Sequence, residues 1–268
     1  MKAIIAAILV LTATTAAGAE APARIRDNLF LLEEAYNQEP GVIQHIFVAT
    51  AGTRSRDWSL TFTEEWPVPT DRNQVSLTLP LLGFDGTGTV GLGDVLVNWR
   101  IQALGMGGKG PVAIAPRLSL VLPTGSPRKG TGRGSTGVQV NLPVSIEAGR
   151  WLVLHLNGGA TLNPTAHAPN GRSAAIADFN AGLAVVVQPL TWMNLLVEVA
   201  WNRISDVEDT RTRHRNEVVV NPGLRFAIDH RASGLQVVPG FAVPVRVVPS
   251  GDVEAFVLAY LSFEHPAF

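Results

Sequence analysis

The sequence predicts an all-β fold: an antiparallel transmembrane β-barrel of about twelve strands, preceded by a short N-terminal helix. Three observations carry that prediction. Large apolar residues alternate with small or polar ones through most of the chain, the connections between these stretches alternate between longer and shorter, and no lysine falls within any of the stretches.

The chain of 268 residues begins with an export pattern. Lys2 supplies a positive start, Ile4 to Leu11 an apolar run, and Ala17-Gly18-Ala19 a small-residue cleavage site. Residues 1–19 read as a signal peptide cleaved near Ala19. The apolar stretch is short for a spanning helix, which is the competing reading. A second apolar stretch, Phe179 to Val197, carries no charge but is interrupted by Asn180, Gln188, Pro189 and Asn194. Two strands around a turn at 189–191 explain it better than a membrane helix.

Residues 20–41 form a helical lead-in or plug. Ile25, Leu29, Leu32 and Tyr36 are spaced for one face of a helix, with Glu33, Glu34, Asn37 and Gln38 off that stripe as plug candidates. Pro40-Gly41 ends the segment, and the barrel occupies 42–268.

Within the barrel, Val138, Val140, Leu142, Val144 and Ile146 share one face, with Gln139, Asn141, Pro143, Ser145 and Glu147 on the other. Met193, Leu195, Val197, Val199 and Trp201 repeat the pattern against Asn194, Glu198 and Asn202. This is the strand template, in which successive side chains point to opposite faces. Twelve segments follow it: 42–50, 58–66, 73–82, 90–103, 111–122, 137–148, 151–163, 176–188, 192–203, 216–229, 234–247 and 253–263. Together they make a strand content too high for an ordinary globular domain and natural for a closed wall. An even strand number with longer loops at one end is the pattern of outer-membrane barrels. The longer connections are 123–136, 164–175 and 204–215, expected outside, while 149–150 and 189–191 are short periplasmic turns. Pro80, Pro116, Pro143, Pro222, Pro239 and Pro244 fall inside strands, where bulges or local breaks are expected.

A soluble sheet would solvate its second face with Lys and Glu. Here only three lysines occur in the whole chain, and the polar parity carries Asn, Gln, Ser, Gly and occasional Arg, Asp or Glu. That composition suits a water-lined lumen, although a secreted soluble β-sandwich is the competing fold. In lipid every backbone group needs an internal partner, so the sheet must close. The lumen-facing candidates are Arg100, Arg117, Glu198, Arg225 and Arg246, joined by Asp94, Asn98, Asn141, Glu147, Asn157, Asp178, Asn180, Glu217 and Asn221. An arginine facing lipid at mid-membrane costs about 2–4 kcal/mol, which directs these side chains inward. There they either set which solutes enter or pack the interior as ion pairs.

A net charge of −1 argues against a nucleic-acid partner. The absence of cysteine excludes disulfides, a zinc-thiolate site and a cysteine nucleophile. No histidines have metal-ligand spacing, and no cofactor or metal is expected. His155 with Ser119 or Ser145 could form a Ser/His pair, but no hydrolase signature accompanies them; an outer-membrane lipid-modifying enzyme is therefore the minor alternative. The Gly-rich stretches at 105–110 and 130–134 lack the P-loop lysine and read as turns. Arg128, Lys129 and Arg133 make loop 123–136 basic, suited to lipopolysaccharide phosphates.

Three stretches resemble a known family: residues 31–45 (Leu-Leu-Glu-Glu-Ala-Tyr-Asn-Gln-Glu-Pro-Gly-Val-Ile-Gln-His), Gly91-Leu92-Gly93-Asp94, and residues 117–125 (Arg-Leu-Ser-Leu-Val-Leu-Pro-Thr-Gly). They are similar to the bacterial outer-membrane transporter-like β-barrels named for the meta-pathway of phenol degradation. The resemblance implies an outer-membrane barrel passing small molecules, aromatic or apolar ones among them, and carries over no catalytic or binding residues. A structural barrel with a sealed lumen is the alternative. Phe268 ends the chain as an aromatic that the barrel-assembly machinery reads in many such barrels, although Glu264 and Pro266 weaken that pattern and the last strand could stop at Phe263. The partners expected are thus membrane lipid, lipopolysaccharide, the assembly machinery and a small solute.

Overall fold

The structure is a computed structural model, and it describes residues 25, 29–105, 110–230 and 232–267. The expected signal peptide, its expected cleavage site near Ala19 and Phe268 lie outside the described residues. So do 20–24 and 26–28 of the expected N-terminal helix; residues 29–39 form no helix and run as an extended, irregular segment.

Twelve spans form the wall. They are β1 (Val42–Gly52), β2 (Trp58–Trp66), β3 (Asn73–Phe84), β4 (Thr89–Leu92 and Val95–Ile101), β5 (Val112–Ile114 and Arg117–Leu122) and β6 (Gly137–Asn141 and Val144–Glu147). The second half comprises β7 (Leu152–His167), β8 (Ser173–Leu190), β9 (Met193–Val207), β10 (Thr212–Phe226 and Ile228–His230), β11 (Leu235–Ala242 and Val245–Val247) and β12 (Val253–Pro266). Each span pairs antiparallel with the next, and β1 pairs with β12 from Val42↔Pro266 to Gly52↔Phe256, which closes the barrel. The last strand thus runs beyond Phe263. No sheet edge remains open, as a structure surrounded by hydrocarbon requires.

The two-part spans show where proline interrupts the ladder. Pro116, Pro143 and Pro244 each sit in the gap of a divided span. Pro80 lies beside a different kind of break. Leu92 and Val97 are both exposed although five residues apart, so the parity slips at Gly93-Asp94, where the Gly93 N–H donates to the Pro80 carbonyl at 2.7 Å.

The faces are inverted relative to a soluble protein. Along β9, Leu195, Val197, Val199 and Trp201 are exposed, while Asn194, Leu196, Glu198 and Ala200 are buried. On β4, Trp99 is 45% exposed between Asn98 and Arg100, both under 5%. An apolar belt of this extent would be an aggregation surface in water and is matched to lipid instead. Trp151 and Trp192 stand exposed beside the short turns at the end where the described chain starts and finishes, with Trp192 stacked 6.0 Å from Phe226. Aromatic residues at this level are the girdle expected at a membrane interface. Among the described residues no helix is long and apolar enough to cross a membrane, and Phe179 to Val197 lies in β8, its turn and β9.

The expected long loops are mostly strand. β7 continues to His167 and β8 starts at Ser173; β9 continues to Val207 and β10 starts at Thr212. The connections there shrink to 168–172 and 208–211, leaving 123–136 as the long loop of that end. The β9–β10 extension keeps its ladder with polar residues on both faces, while the β7–β8 extension shifts register between Asn163 and Ala166 and packs Ala166 and Ala174 beside Val207, so neither shows the alternation that marks a strand buried on one side.

Candidate functional site

The lumen is crossed by residues 29–38. Between Gln38 and Phe30 the segment meets every span from β3 to β12, sweeping around the inside of the wall. The wall's own backbone groups are consumed by the closed ladder, so they have little left to offer an inner chain. Side chains do the bonding instead. The Gln38 N–H donates to Gln74 Oε1 and the Asn37 N–H to Gln102 Oε1, both at 2.8 Å. The Ala35 N–H donates to Ser145 Oγ at 2.8 Å, and the Glu33 N–H to Asn157 Oδ1 at 3.0 Å. Leu31 and Leu32 N–H groups share Glu198 Oε1 at 2.9 and 3.0 Å.

Two of these wall amides bond the segment in both directions. Asn157 Nδ2 returns a hydrogen bond to the Glu33 carbonyl at 2.7 Å, and Gln102 Nε2 one to the Ala35 carbonyl at 2.7 Å. Each therefore offers a donor and an acceptor, as a neighbouring strand's peptide would. Arg100, 3% exposed, donates to the carbonyls of Glu34 and Tyr36 and to Asn37 Oδ1. Unmet backbone groups in this enclosed space would be costly.

The charged centre is Glu33 with Arg117. Arg117 Nε reaches both carboxylate oxygens at 3.0 and 2.9 Å, and Nη2 reaches Oε1 at 2.7 Å. Asn141 Nδ2 adds a fourth bond at 2.8 Å. The rest of the guanidinium is fixed by Asn98 Oδ1 at 2.6 Å, Gln139 Oε1 at 2.8 Å and Ser119 Oγ. This multiply held arginine–carboxylate pair is of the strong, geometrically specific kind. Glu198 is fully buried, and its second oxygen accepts from Asn221 Nδ2 at 2.7 Å.

The apolar end of the segment fills the other half of the lumen. Ile25, Leu29, Phe30 and Leu32 are buried in one cluster with Val186, Leu196, Val238, Leu258 and Tyr260.

On the far side of the segment lies a cavity of about 490 Å³ with a mixed lining, in contact with Leu31, Leu32 and Glu33 and walled by Asn141, Asn157, Asp178, Asn180, Asn202 and Glu217 together with Ala200, Ile204 and Val219. Above it, loop 123–136 folds inward. The Asp94 carboxylate accepts the N–H groups of Gly125 and Arg133 at 3.0 and 2.7 Å. Arg133 then reaches across to Asp206 at 2.7 Å and Asp178 at 3.4 Å.

The lumen candidates therefore separate into groups. Asn98, Arg100, Arg117, Asn141, Asn157, Glu198 and Asn221 converge on the segment. Glu147 lies 3.5 Å from the Tyr36 hydroxyl, and Arg225 is buried beside the apolar cluster. Asp178, Asn180 and Glu217 line the cavity. Arg246 stands apart, paired with Glu254 at 2.7 Å. Asp94 sits at the β4 break on the same parity as Asn98 and Arg100, and holds the inward-folded loop 123–136. Of the segment's own polar residues, Glu33, Asn37 and Gln38 engage the wall, and Glu34 is 2% exposed. Gln74 and Gln102 join the site unforeseen, although both lie on the inward parity, and Gln139 and Ser145, read on the polar face of their strand, prove to bond Arg117 and the Ala35 N–H. Ser145 Oγ is 2.8 Å from His155 Nδ1, but it is fully buried and covered by Ala35.

A closed twelve-strand ladder, an apolar exterior belt and a polar interior define an outer-membrane β-barrel. No family model matches the chain, and no curated protein matches it. Among solved structures it is similar to the COG4313 outer membrane channel from Pseudomonas putida F1, with a TM-score of 0.65 and 12% identity over 87% of this chain and 97% of that one. It is also similar to the NanC porin, with a TM-score of 0.55 and 9% identity over 82% of this chain and 98% of that one. At these identities the likeness is one of fold.

Proposed function

We propose that this protein is a passive outer-membrane channel for small molecules, closed at rest by its own residues 29–38. The observation that carries this reading is that a cavity in the lumen ends on a segment held to the wall by side chains rather than by the ladder. Such a segment can leave without breaking the barrel. The apolar half of the lumen, together with the resemblance to the phenol meta-pathway barrels, supports aromatic or apolar solutes among those carried. In this reading the chain is exported, cleaved near Ala19, non-enzymatic, and oriented with loop 123–136 outside, where Arg128 and Lys129 meet lipopolysaccharide phosphates.

The test is planar-bilayer conductance of the refolded full-length mature chain beside a variant lacking residues 20–38. The deletion variant should conduct more than the parent. Silence from both, with the heat-modifiable gel shift of a folded barrel intact, would overturn the channel reading and favour a sealed structural barrel, to which the many bonds on the segment also lend weight.

A further inference from the structure

Phe30 occupies a slot built for a ring. Gly223 on β10 and Gly240 on β11 lie beneath it. A Cβ on Gly223 would come within 2.5 Å of the Phe30 ring, and one on Gly240 within 2.7 Å. The register explains the shape. Gly240 stands between Arg225 and Tyr260 across three neighbouring strands, and Gly223 beside Ala242 in the next row. Tyr260 closes one side, its ring centroid 5.2 Å from that of Phe30 and tilted by 53°. Neither glycine adopts a left-handed backbone. Their absent side chains therefore serve space rather than conformation, although glycine weakens a strand.

The slot is also adjacent to the cavity. Val219 lines the cavity and Gly223 floors the slot, with only Asn221 between them on the inward face of β10. Asn221 is tied to Glu198, which in turn holds Leu31 and Leu32. Displacing the segment frees this whole row at once.

We propose that the slot floored by Gly223 and Gly240 is a binding subsite for one aromatic ring of a permeating solute, and that Phe30 occupies it when the lumen is shut. The proposal deepens the channel reading and rests on it. A flat ring fits over the two glycines, and the Tyr260 ring offers the tilted contact that aromatic pairs favour. A puckered saturated ring is thicker and lacks that contact. A cavity left by a phenyl group is one that a monocyclic arene fills.

The experiment uses the full mature chain in nanodiscs with 4-fluorobenzyl alcohol as probe, followed by ¹⁹F NMR. The variants are Phe30→Ala and Phe30→Ala with Gly240→Leu, the second filling the slot and reporting lipid background. Phe30 competes with the probe, so Phe30→Ala should bind it about tenfold or more tightly than the parent. The added leucine should return binding to background, and cyclohexylmethanol should compete poorly. Equal binding by Phe30→Ala and the slot-filled variant would overturn the subsite, and equal competition by cyclohexylmethanol would overturn its aromatic class. Should Phe30→Ala lose the heat-modifiable shift, Phe30→Val, which still leaves the ring's place over the glycines open, serves the same comparison. The channel reading fails separately, on conductance.

Discussion

Glu198→Ala should open the lumen while leaving the barrel folded. In the closed state one carboxylate oxygen accepts two backbone N–H groups, from Leu31 and Leu32, and the other accepts from Asn221. Leaving a buried N–H without its acceptor costs about 1–3 kcal/mol, and the two N–H groups lose theirs together. Allowing for water entering the vacated space, the closed state should weaken by about 3 kcal/mol, which is a factor of about 100–200 in the closed-to-open ratio. The wall does not depend on this side chain, because Glu198 keeps its backbone pairing with Ala184 and Asn221. The parent has no cysteine, so a single Leu32→Cys reports segment release cleanly. Thiol labelling of Leu32→Cys should accelerate by a comparable factor when Glu198→Ala is added, and open-channel events in a planar bilayer should become correspondingly more frequent. Unchanged labelling and unchanged conductance in a folded Glu198→Ala barrel would refute the view that these bonds hold the lumen closed.

Arg117→Ala should unseat the segment more than Glu33→Gln does, since it leaves a carboxylate inside the barrel without its guanidinium; a double-mutant cycle read by Leu32→Cys labelling should show a coupling of about 1–3 kcal/mol. Asp94→Ala removes the acceptor for Gly125 and Arg133, so loop 123–136 should become sensitive to protease on folded protein while the protected wall is unaffected. Val197→Arg places a charge on the lipid-facing belt and should destabilise the barrel by about 2–4 kcal/mol in denaturant titrations in lipid, whereas Ser59→Arg, on the polar inner face, should cost clearly less.

The wall was legible because most of its length has two different environments. Leu195, Val197 and Val199 face hydrocarbon while Asn194 and Glu198 face the interior, and that difference is written at period two. Where the environments become alike, the signal fades. Residues 204–207 and 212–215 remain in strands with polar residues on both faces, and they read as loops. Asp94 shares the parity of Asn98 and Arg100, but that it holds loop 123–136 depends on how that loop folds inward, which a period of two does not record. The segment 29–38 misleads for another reason. Leu29, Leu32 and Tyr36 have helical spacing, but wall surrounds the segment instead of packing against one side, so Leu29, Phe30 and Leu32 are all buried without any amphipathic face. Which partners it would find could not be read from sequence, because Gln102 and Asn157 are brought to it only by closure of the ring.

The segment also remains covalently joined to the wall it blocks. Gln38 is followed by Glu39, Pro40 and Gly41 before β1 begins, and this link is pinned by the Val42 N–H on the Glu39 carbonyl at 3.1 Å and the Ala267 N–H on the Gly41 carbonyl at 2.7 Å. A leash this short holds its free end at an effective concentration of millimolar order or above. In the channel reading, a solute entering the cavity would compete with a resident that stays tethered and would re-insert once the solute moved on. Opening would then track external solute steeply only once its concentration rivals that of the leash, and the barrel would reseal without any second factor when the supply is exhausted.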